Sequence, residues 1–297
     1  MTRDANRRAA QHCGERVAVV VLNFNGTDDT LACLESLAAM QPAPGAVHVV
    51  DNASEDDAVQ RIGAAFPQAR ISRNRTNLGF GAGLDPVLER LLDDGPEWIW
   101  LLNNDTRAAP DTLARLLAHA STHPDAGAVG ARILDMQPPH AIQTWGGGRI
   151  LWWGGTSRHF VAETADGNLD YITGASLLLR AAALRETGLF DPRFFLYWED
   201  VDLCLRLRKQ GWKLTVAADA VVHHELSGST GEGSAAKDRL INASGVRFFR
   251  KHAAVRGWPA ILIGTTARIV RRILRGDLEA ARAVLRGARD GFTKTPR

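Results

Sequence analysis

Hydrophobic positions in the first hundred residues alternate between two rhythms. Arg16 to Asn23 (RVAVVVLN) is an unbroken apolar run, the pattern of a parallel strand buried on both faces. Asp28 to Met40 places Leu31, Leu34 and Leu37 at helical spacing. Val47 to Asp51 reads as a second strand, Glu55 to Phe66 and Leu84 to Leu92 as helices, and Trp98 to Leu102 (WIWLL) as another buried strand. Pro110 then opens a helix that runs to about His119. This alternation predicts an α/β fold, a doubly wound, mainly parallel sheet flanked by helices, with ligands beyond the carboxyl ends of the strands.

Further along, Ala131 to Asp170 holds Trp145, Gly146 to Gly148, Trp152 and Trp153 with few helical signals, and is expected to form short strands and a mobile acceptor loop. Leu203 and Leu207, with Gly211 as a stop, predict a helix. Leu214 to Ala217 reads as a strand continued by Ala218 to Val222, and Ser227 to Ser234 (SGSTGEGS) as a flexible loop able to close over a ligand.

With 45% hydrophobic and 23% charged residues over 297 positions, the chain has the make-up of a soluble globular protein with ample core. Cys13, Cys33 and Cys204 are few, odd in number and widely spaced, so neither a disulfide framework nor a cysteine-built zinc site is indicated and a reducing cytosol fits best. Residues 1–14 are polar and Arg-rich without an apolar run, which reads as a disordered N-terminus and no signal peptide. No stretch approaches a membrane span.

The net charge of +3 conceals an asymmetry, since from Arg247 onward Arg and Lys far outnumber acids. In Trp258 to Leu274 and the Arg275 that follows, Arg268, Arg271, Arg272 and Arg275 are interleaved with Ile261, Leu262, Ile269, Ile273 and Leu274. Residues 251–297 are thus expected to be a basic amphipathic helical tail, suited either to peripheral contact with an anionic membrane at the inner face of the plasma membrane or to packing on its own domain. No basic stripe with interleaved aromatics appears earlier, which disfavours nucleic acid.

The predicted strand tips carry the chemistry. The first ends in Asn23-Phe24-Asn25-Gly26, the second in Asp51-Asn52-Ala53-Ser54 and a later one in Asn103-Asn104-Asp105-Thr106. Each alone is ordinary turn chemistry, but three polar tips on one sheet edge favour a ligand. Between them, Asn77-Leu78-Gly79-Phe80-Gly81-Ala82-Gly83 sets three alternate glycines before a helix, which would let backbone N–H groups approach a phosphate. It is neither a dinucleotide fingerprint nor a Walker loop, so a nucleoside diphosphate bound in another way is the inference. Such a ligand calls for a hard cation, with Asp105 a candidate ligand. His223 and His224 are adjacent on an extended segment, so at most one faces the site.

Phe195-Leu196-Tyr197-Trp198-Glu199-Asp200-Val201-Asp202 puts three acids at a helix start behind an aromatic run. Asp202 reads as a partner of Arg206, while Asp200 is placed to act as a general base. Tyr197 and Trp198 are candidate sugar platforms, and Gly174-Ala175-Ser176 a candidate part of the acceptor floor.

Taken in order, Asn23-x-Asn25, Asp51-Asn52-Ala53-Ser54, Asn77-x-Gly79, Asn103-Asn104-Asp105, Trp198-Glu199-Asp200 and His224 resemble family 2 inverting glycosyltransferases of the GT-A fold, over about Arg16 to Arg250. The likeness is strongest to the rhamnosyltransferase-like branch, which acts in cell-surface polysaccharide assembly. It implies a glycosyltransferase domain over 15–250, with a nucleotide-binding half at 15–106 and an acceptor and catalytic half at 107–250. By this resemblance Asp51 and Asn23 hold the base of a dTDP- or UDP-sugar, with Asn25, Asn52, Ser54, Asn77, Gly79 and Asn104 around the nucleotide. Tyr197, Trp198 and Glu199 line the substrate site, Asp105 and His224 bind Mg²⁺ or Mn²⁺, and Asp200 is the catalytic base. The implied acceptor is a glycan or polyprenyl-linked glycan and the implied sugar L-rhamnose. Asn103 departs from the family's Asp-x-Asp motif. Two competing readings are an NAD-dependent oxidoreductase, for which Asp51 imitates a ribose-binding acid, and a non-catalytic glycan- or lipid-binding subunit that kept the fold.

Overall fold

The computed structural model describes residues 14–225, 235–253 and 257–293; the Ser227 to Ser234 segment and Cys13 lie outside them. Strand β1 (Val17–Asn23) is buried along almost its whole length because it divides two cores. Val17, Val19 and Val21 face one cluster, and Ala18 and Val20 the other, as period-two alternation requires. Helix α1 (Thr27–Ala38) follows, then β2 (Ala46–Asp51), α2 (Ala58–Ala65), β3 (Arg70–Arg73), α3 (Gly81–Asp94) and β4 (Trp98–Asn103). β3, β2, β1 and β4 lie side by side and parallel, as the alternating pattern predicts. Gly95 closes α3 in the left-handed conformation (φ 86°), a glycine C-terminus.

The second half is mixed. β5 (Thr106–Ala108), α4 (Thr112–Thr122), β6 (Ala126–Asp135) and β7 (Ile142–Trp145) precede a small antiparallel sheet of β8 (Gly147–Leu151), β9 (Thr156–His159) and β10 (Tyr171–Ile172). β11 (Ser176–Arg180) inserts antiparallel between β4 and β6. Helices α5 (Ala181–Thr187) and α6 (Glu199–Lys209) lead to β12 (Lys213–His224), which runs parallel to β6 and antiparallel to β5. Because β11 is reversed, its start meets the end of β4, and the Asn103 amide donates to the Ala175 carbonyl. The short strands expected between Ala131 and Asp170 are present.

Three helices close the chain: α7 (Ala235–His252), α8 (Gly257–Leu274) and α9 (Leu278–Thr293). α7 runs through position 250, and its Val246, Phe248 and Phe249 sit in the main core, so one continuous helix crosses the boundary expected at 250. Asp202, fully buried, pins α7 to α6: it pairs with Arg206 at 2.8 Å and receives Lys251 and His252 at 2.6 Å each. Burial pushes its carboxyl up, but hydrogen bonds from His252, Lys251 and Arg206 win and hold it below the ordinary range. Gly14, expected in the disordered N-terminus, is buried and accepts the Gly45 amide at 2.9 Å. Cys33 and Cys204 are buried free thiols.

Candidate active site

The sheet edge at the end of β4 opens into a cavity of about 430 Å³. Asn103 and Asp105 enter from the β4–β5 turn, His224 from the end of β12, and Gly174 and Ala175 from the start of β11. Tyr197, Trp198, Glu199 and Asp200 form the α6 side, Ser157, His159 and Tyr171 come from the small sheet, and Lys237 from α7. Antiparallel pairing sets the first part: His224 sits opposite Thr106, and the Glu225 amide donates to the Asp105 carbonyl, so a residue from each half of the chain meets here.

The proton arrangement at that meeting point follows from its neighbours. Gln143 Nε2 donates to Asp135 Oδ1 at 2.7 Å and to the His224 carbonyl at 2.8 Å, which turns its Oε1 toward His224 Nδ1 at 2.9 Å. Nδ1 must therefore carry the hydrogen, leaving the Nε2 lone pair directed at Asp105 Oδ1, 3.3 Å away. That oxygen is buried without a hydrogen-bond partner. Two acceptors facing each other repel unless a second proton or a cation lies between them. An oxygen and an imidazole nitrogen so placed suit a divalent ion. His223 turns the other way, its ring 5.0 Å from that of His140, which resolves the adjacent pair as strand alternation requires.

Asp200 stands at the N-terminus of α6, entered through Tyr197 and Trp198 in the left-handed region (φ 66° and 69°). Neither is glycine, so the turn is strained, and it delivers both acids to the cavity. Asp200 Oδ2 accepts the Gly174 amide and Oδ1 the Val201 amide, each at 2.8 Å. Burial raises its pKa, and those two N–H groups oppose the rise. Glu199 is pushed well above the carboxylate range by burial and by the Asp200 charge, and its Oε2 has no partner. Burial therefore favours the protonated form of both acids, and the two amides on Asp200 oppose it there.

The strand tips differ from expectation. Asn23, fully buried, donates to Asp51 Oδ1 and Ser54 Oγ at 3.1 Å each and accepts from Thr30 Oγ1 at 2.8 Å. Asn52 donates to Asn77 Oδ1 and the Gly79 carbonyl at 2.9 Å each and accepts from Asn74 Nδ2 and the Leu78 amide. Ser54 Oγ also takes the Asn25 amide, Asn25 Oδ1 takes the Glu55 amide, and Asn104 Nδ2 reaches the Gly26 carbonyl. Asn23, Asn52 and Ser54 thus brace loops rather than present free groups to a ligand. The three glycines are likewise packing residues: a Cβ at Gly79 (φ 82°) would strike the Phe195 carbonyl, one at Gly81 the Phe190 ring and one at Gly83 the Asn52 side chain. Asp51 keeps one oxygen without a hydrogen bond, 3.2 Å from the half-exposed Arg73.

Trp198 is also not an open platform. Only 5% exposed, its ring packs on Phe248 and Phe249 with centroids 4.8 and 5.4 Å away, so it forms a cavity wall. Sequence reasoning missed Arg73, Gln143, Ser157, His159, Tyr171 and Lys237, which sit on short strands or an amphipathic helix where nothing in the local pattern marks them. A second cluster, His119, His123 and Asp166, has ligand atoms within 4.8 Å of one another. It lies at the opposite end of β12, nine residues from His224 or roughly 25–30 Å along the strand. The Thr215 hydroxyl bridges its His119 and Asp166, and at that distance the cluster does not serve this cavity.

A mixed sheet with a polar edge joining its halves, an acid at a helix start and an oxygen–nitrogen pair beside it define a sugar-transferring enzyme of the GT-A fold. The model of glycosyltransferase-like family 2 matches residues 15–242, and the chain belongs to that family. It is 32% identical over 242 residues, 73% of this chain and 78% of the relative, to the N-acetylglucosaminyl-diphospho-decaprenol L-rhamnosyltransferase of Mycobacterium tuberculosis. To galactofuranosyltransferase GlfT1 of Mycolicibacterium smegmatis it is 28% identical, over 66% of this chain and 67% of that one. In fold it is similar to GalNAc-T7 with UDP, GalNAc and Mn²⁺ (TM-score 0.66, 14% identity, 94% of this chain, 56% of that one). It is also similar to the Pyrobaculum calidifontis mannosyltransferase PcManGT with GDP-Man and Mn²⁺ (TM-score 0.61, 16% identity, 94% of this chain, 87% of that one). Family membership sets aside the oxidoreductase and non-catalytic readings.

Proposed function

We propose that this chain transfers L-rhamnose, with inversion, from dTDP-rhamnose to a polyprenyl-diphosphate-linked glycan. The observation that carries the transfer chemistry is one cavity lined by both Asp200 and Asp105, whose buried Oδ1 lacks a hydrogen-bond partner and faces His224. The M. tuberculosis rhamnosyltransferase, similar along three-quarters of its length, supports the choice of sugar and of a lipid-linked acceptor.

In this reading Asp200 accepts the proton of the acceptor hydroxyl as that oxygen attacks the anomeric carbon from the face opposite the leaving diphosphate. The Gly174 and Val201 amides hold its carboxylate in place, and burial raises the pKa of the neighbouring Glu199, which disfavours a second negative charge beside it. Asp105 Oδ1 and His224 Nε2 would hold Mg²⁺ or Mn²⁺, with Gln143 fixing the imidazole. Such an ion supplies Lewis-acid stabilisation to the departing diphosphate. Tyr197 and the small-sheet residues line the acceptor side, and Asp51, braced by Asn23 and flanked by Arg73, addresses the base.

The test is a thermal-shift series with dTDP-rhamnose, UDP-sugars and NAD, each with Mn²⁺ or EDTA, followed by product analysis. The expected result is metal-dependent stabilisation by dTDP-rhamnose and a product of inverted anomeric configuration. Stabilisation by a UDP-sugar alone would overturn the sugar assignment, and a product of retained configuration would overturn the role of Asp200.

A further inference from the structure

The C-terminal helices carry apolar surface that the transfer chemistry does not use. α8 buries Gly257, Ala260, Ile261 and Gly264 and leaves Leu262 (69% exposed), Ile263, Val270 and Leu274 (82%) open to solvent. Arg271 and Arg275 border this face, and α8 contains no acid. No helix among the described residues is long and apolar enough to cross a membrane.

The turn between β8 and β9 is seated on the same helix. Gly155 and Gly264 approach so closely that a Cβ on either would meet the other's backbone, and Arg268 donates to the Gly155 carbonyl at 3.2 Å. Within that turn Trp152 packs on Phe248 and Phe249, while Trp153 is 74% exposed. From the turn, β9 leads directly to Ser157 and His159 on the cavity wall.

We infer that the outer face of α8, together with Trp153 on the seated turn, is a docking surface for an anionic lipid bilayer. An apolar helical face edged by arginines, with a tryptophan beside it, matches the composition of helices that lie in the headgroup plane. A second copy of the chain is the poorer occupant, because pairing two such faces would gather the arginines of both with no acid on either α8 to offset them. Lipid phosphates complement those arginines and acyl chains the leucines. The surface itself does not depend on the transfer reading; its use to the enzyme does, since it would hold the cavity beside the bilayer where a polyprenyl-linked acceptor presents its glycan.

Vesicle co-sedimentation of the full chain tests it. Wild type should sediment with phosphatidylglycerol-containing vesicles, less with phosphatidylcholine alone, and less at high salt. A Leu262→Glu/Val270→Glu variant should lose about tenfold or more in vesicle affinity. Arg271→Glu/Arg275→Glu should remove the preference for anionic lipid, and Trp153→Ala should weaken binding several-fold. All these positions lie outside the cavity, so stabilisation by donor should match wild type and serve as the folding control. Absence of sedimentation by wild type, or equal sedimentation by the Leu262→Glu/Val270→Glu variant, overturns the inference. So does a wild-type dimer in light scattering that the same variant converts to monomer, which would identify a second copy as the occupant. Loss of donor stabilisation with vesicle binding intact would count against the transfer reading alone.

Discussion

The two ends of the functional edge are built from similar residues and behave oppositely. Under the tips of β1 and β2, Asn23, Asn52 and Ser54 engage nearly every polar group they own with one another and with nearby backbone. In the cavity, Asp105 Oδ1 and Glu199 Oε2 are buried without a hydrogen-bond partner, and burial raises the pKa of both Asp200 and Glu199. Satisfied polar groups rigidify a scaffold, whereas unsatisfied ones keep free energy available for a ligand or a charge that arrives later. Residue type alone does not distinguish the two; partner count does.

Substitutions can break this contrast. The largest effect is expected from Asp200→Asn, which should lower kcat by about 10²–10⁴ while donor affinity stays near wild type. The same residue sets the pH dependence: transfer needs the ionised carboxylate, burial raises its pKa, and activity should therefore fall on acidification at a pH above the usual aspartate range of about 4. An acid limb at or below that value would show that another group is the base. Next is Gln143→Leu, which touches no substrate but frees the His224 ring; metal affinity measured by calorimetry should weaken by about 10–100-fold. If Gln143 were merely structural, thermal stability would fall and metal affinity would not.

On the satisfied side, Asn52→Ala should cost about 1–3 kcal/mol in chemical denaturation by removing the acceptor that the Leu78 amide and one N–H of Asn74 share. Loss of turnover without loss of stability would return Asn52 to the ligand-contacting set. The smallest effect concerns Asp85 on α3, whose carboxyl is pushed up to about 7, chiefly by burial. Its folded pKa lies above the unfolded value, so stability falls as pH rises from about 4 toward 7 and the penalty is complete above that. Asp85→Asn should raise Tm by a few degrees at pH 8 and leave it unchanged near pH 4.

Much of the first half was legible in the chain. The apolar run Arg16 to Asn23 and the WIWLL segment are buried strands, and the helices between them lie within a few residues of their predicted bounds. The reversed β11 was not foreseeable, because a buried apolar strand carries no mark of its direction. Asp200 was singled out in the sequence because acids behind an aromatic run are costly unless used, whereas the pairing of Asp105 with His224 came from the family resemblance. Gln143 and His159 stayed hidden, since their importance lies in what stands opposite them.

By itself the sequence determined the strand and helix periods, the edge where the polar tips collect and the family to which the chain belongs, because burial patterns and motif order are local properties written along the chain. Only the tertiary structure decided which polar groups are left without partners, that Trp198 is walled into the core, and that the β8–β9 turn joins α8. Those are contacts between segments far apart in the chain, and hydrogen-bond satisfaction is a property of the packed whole.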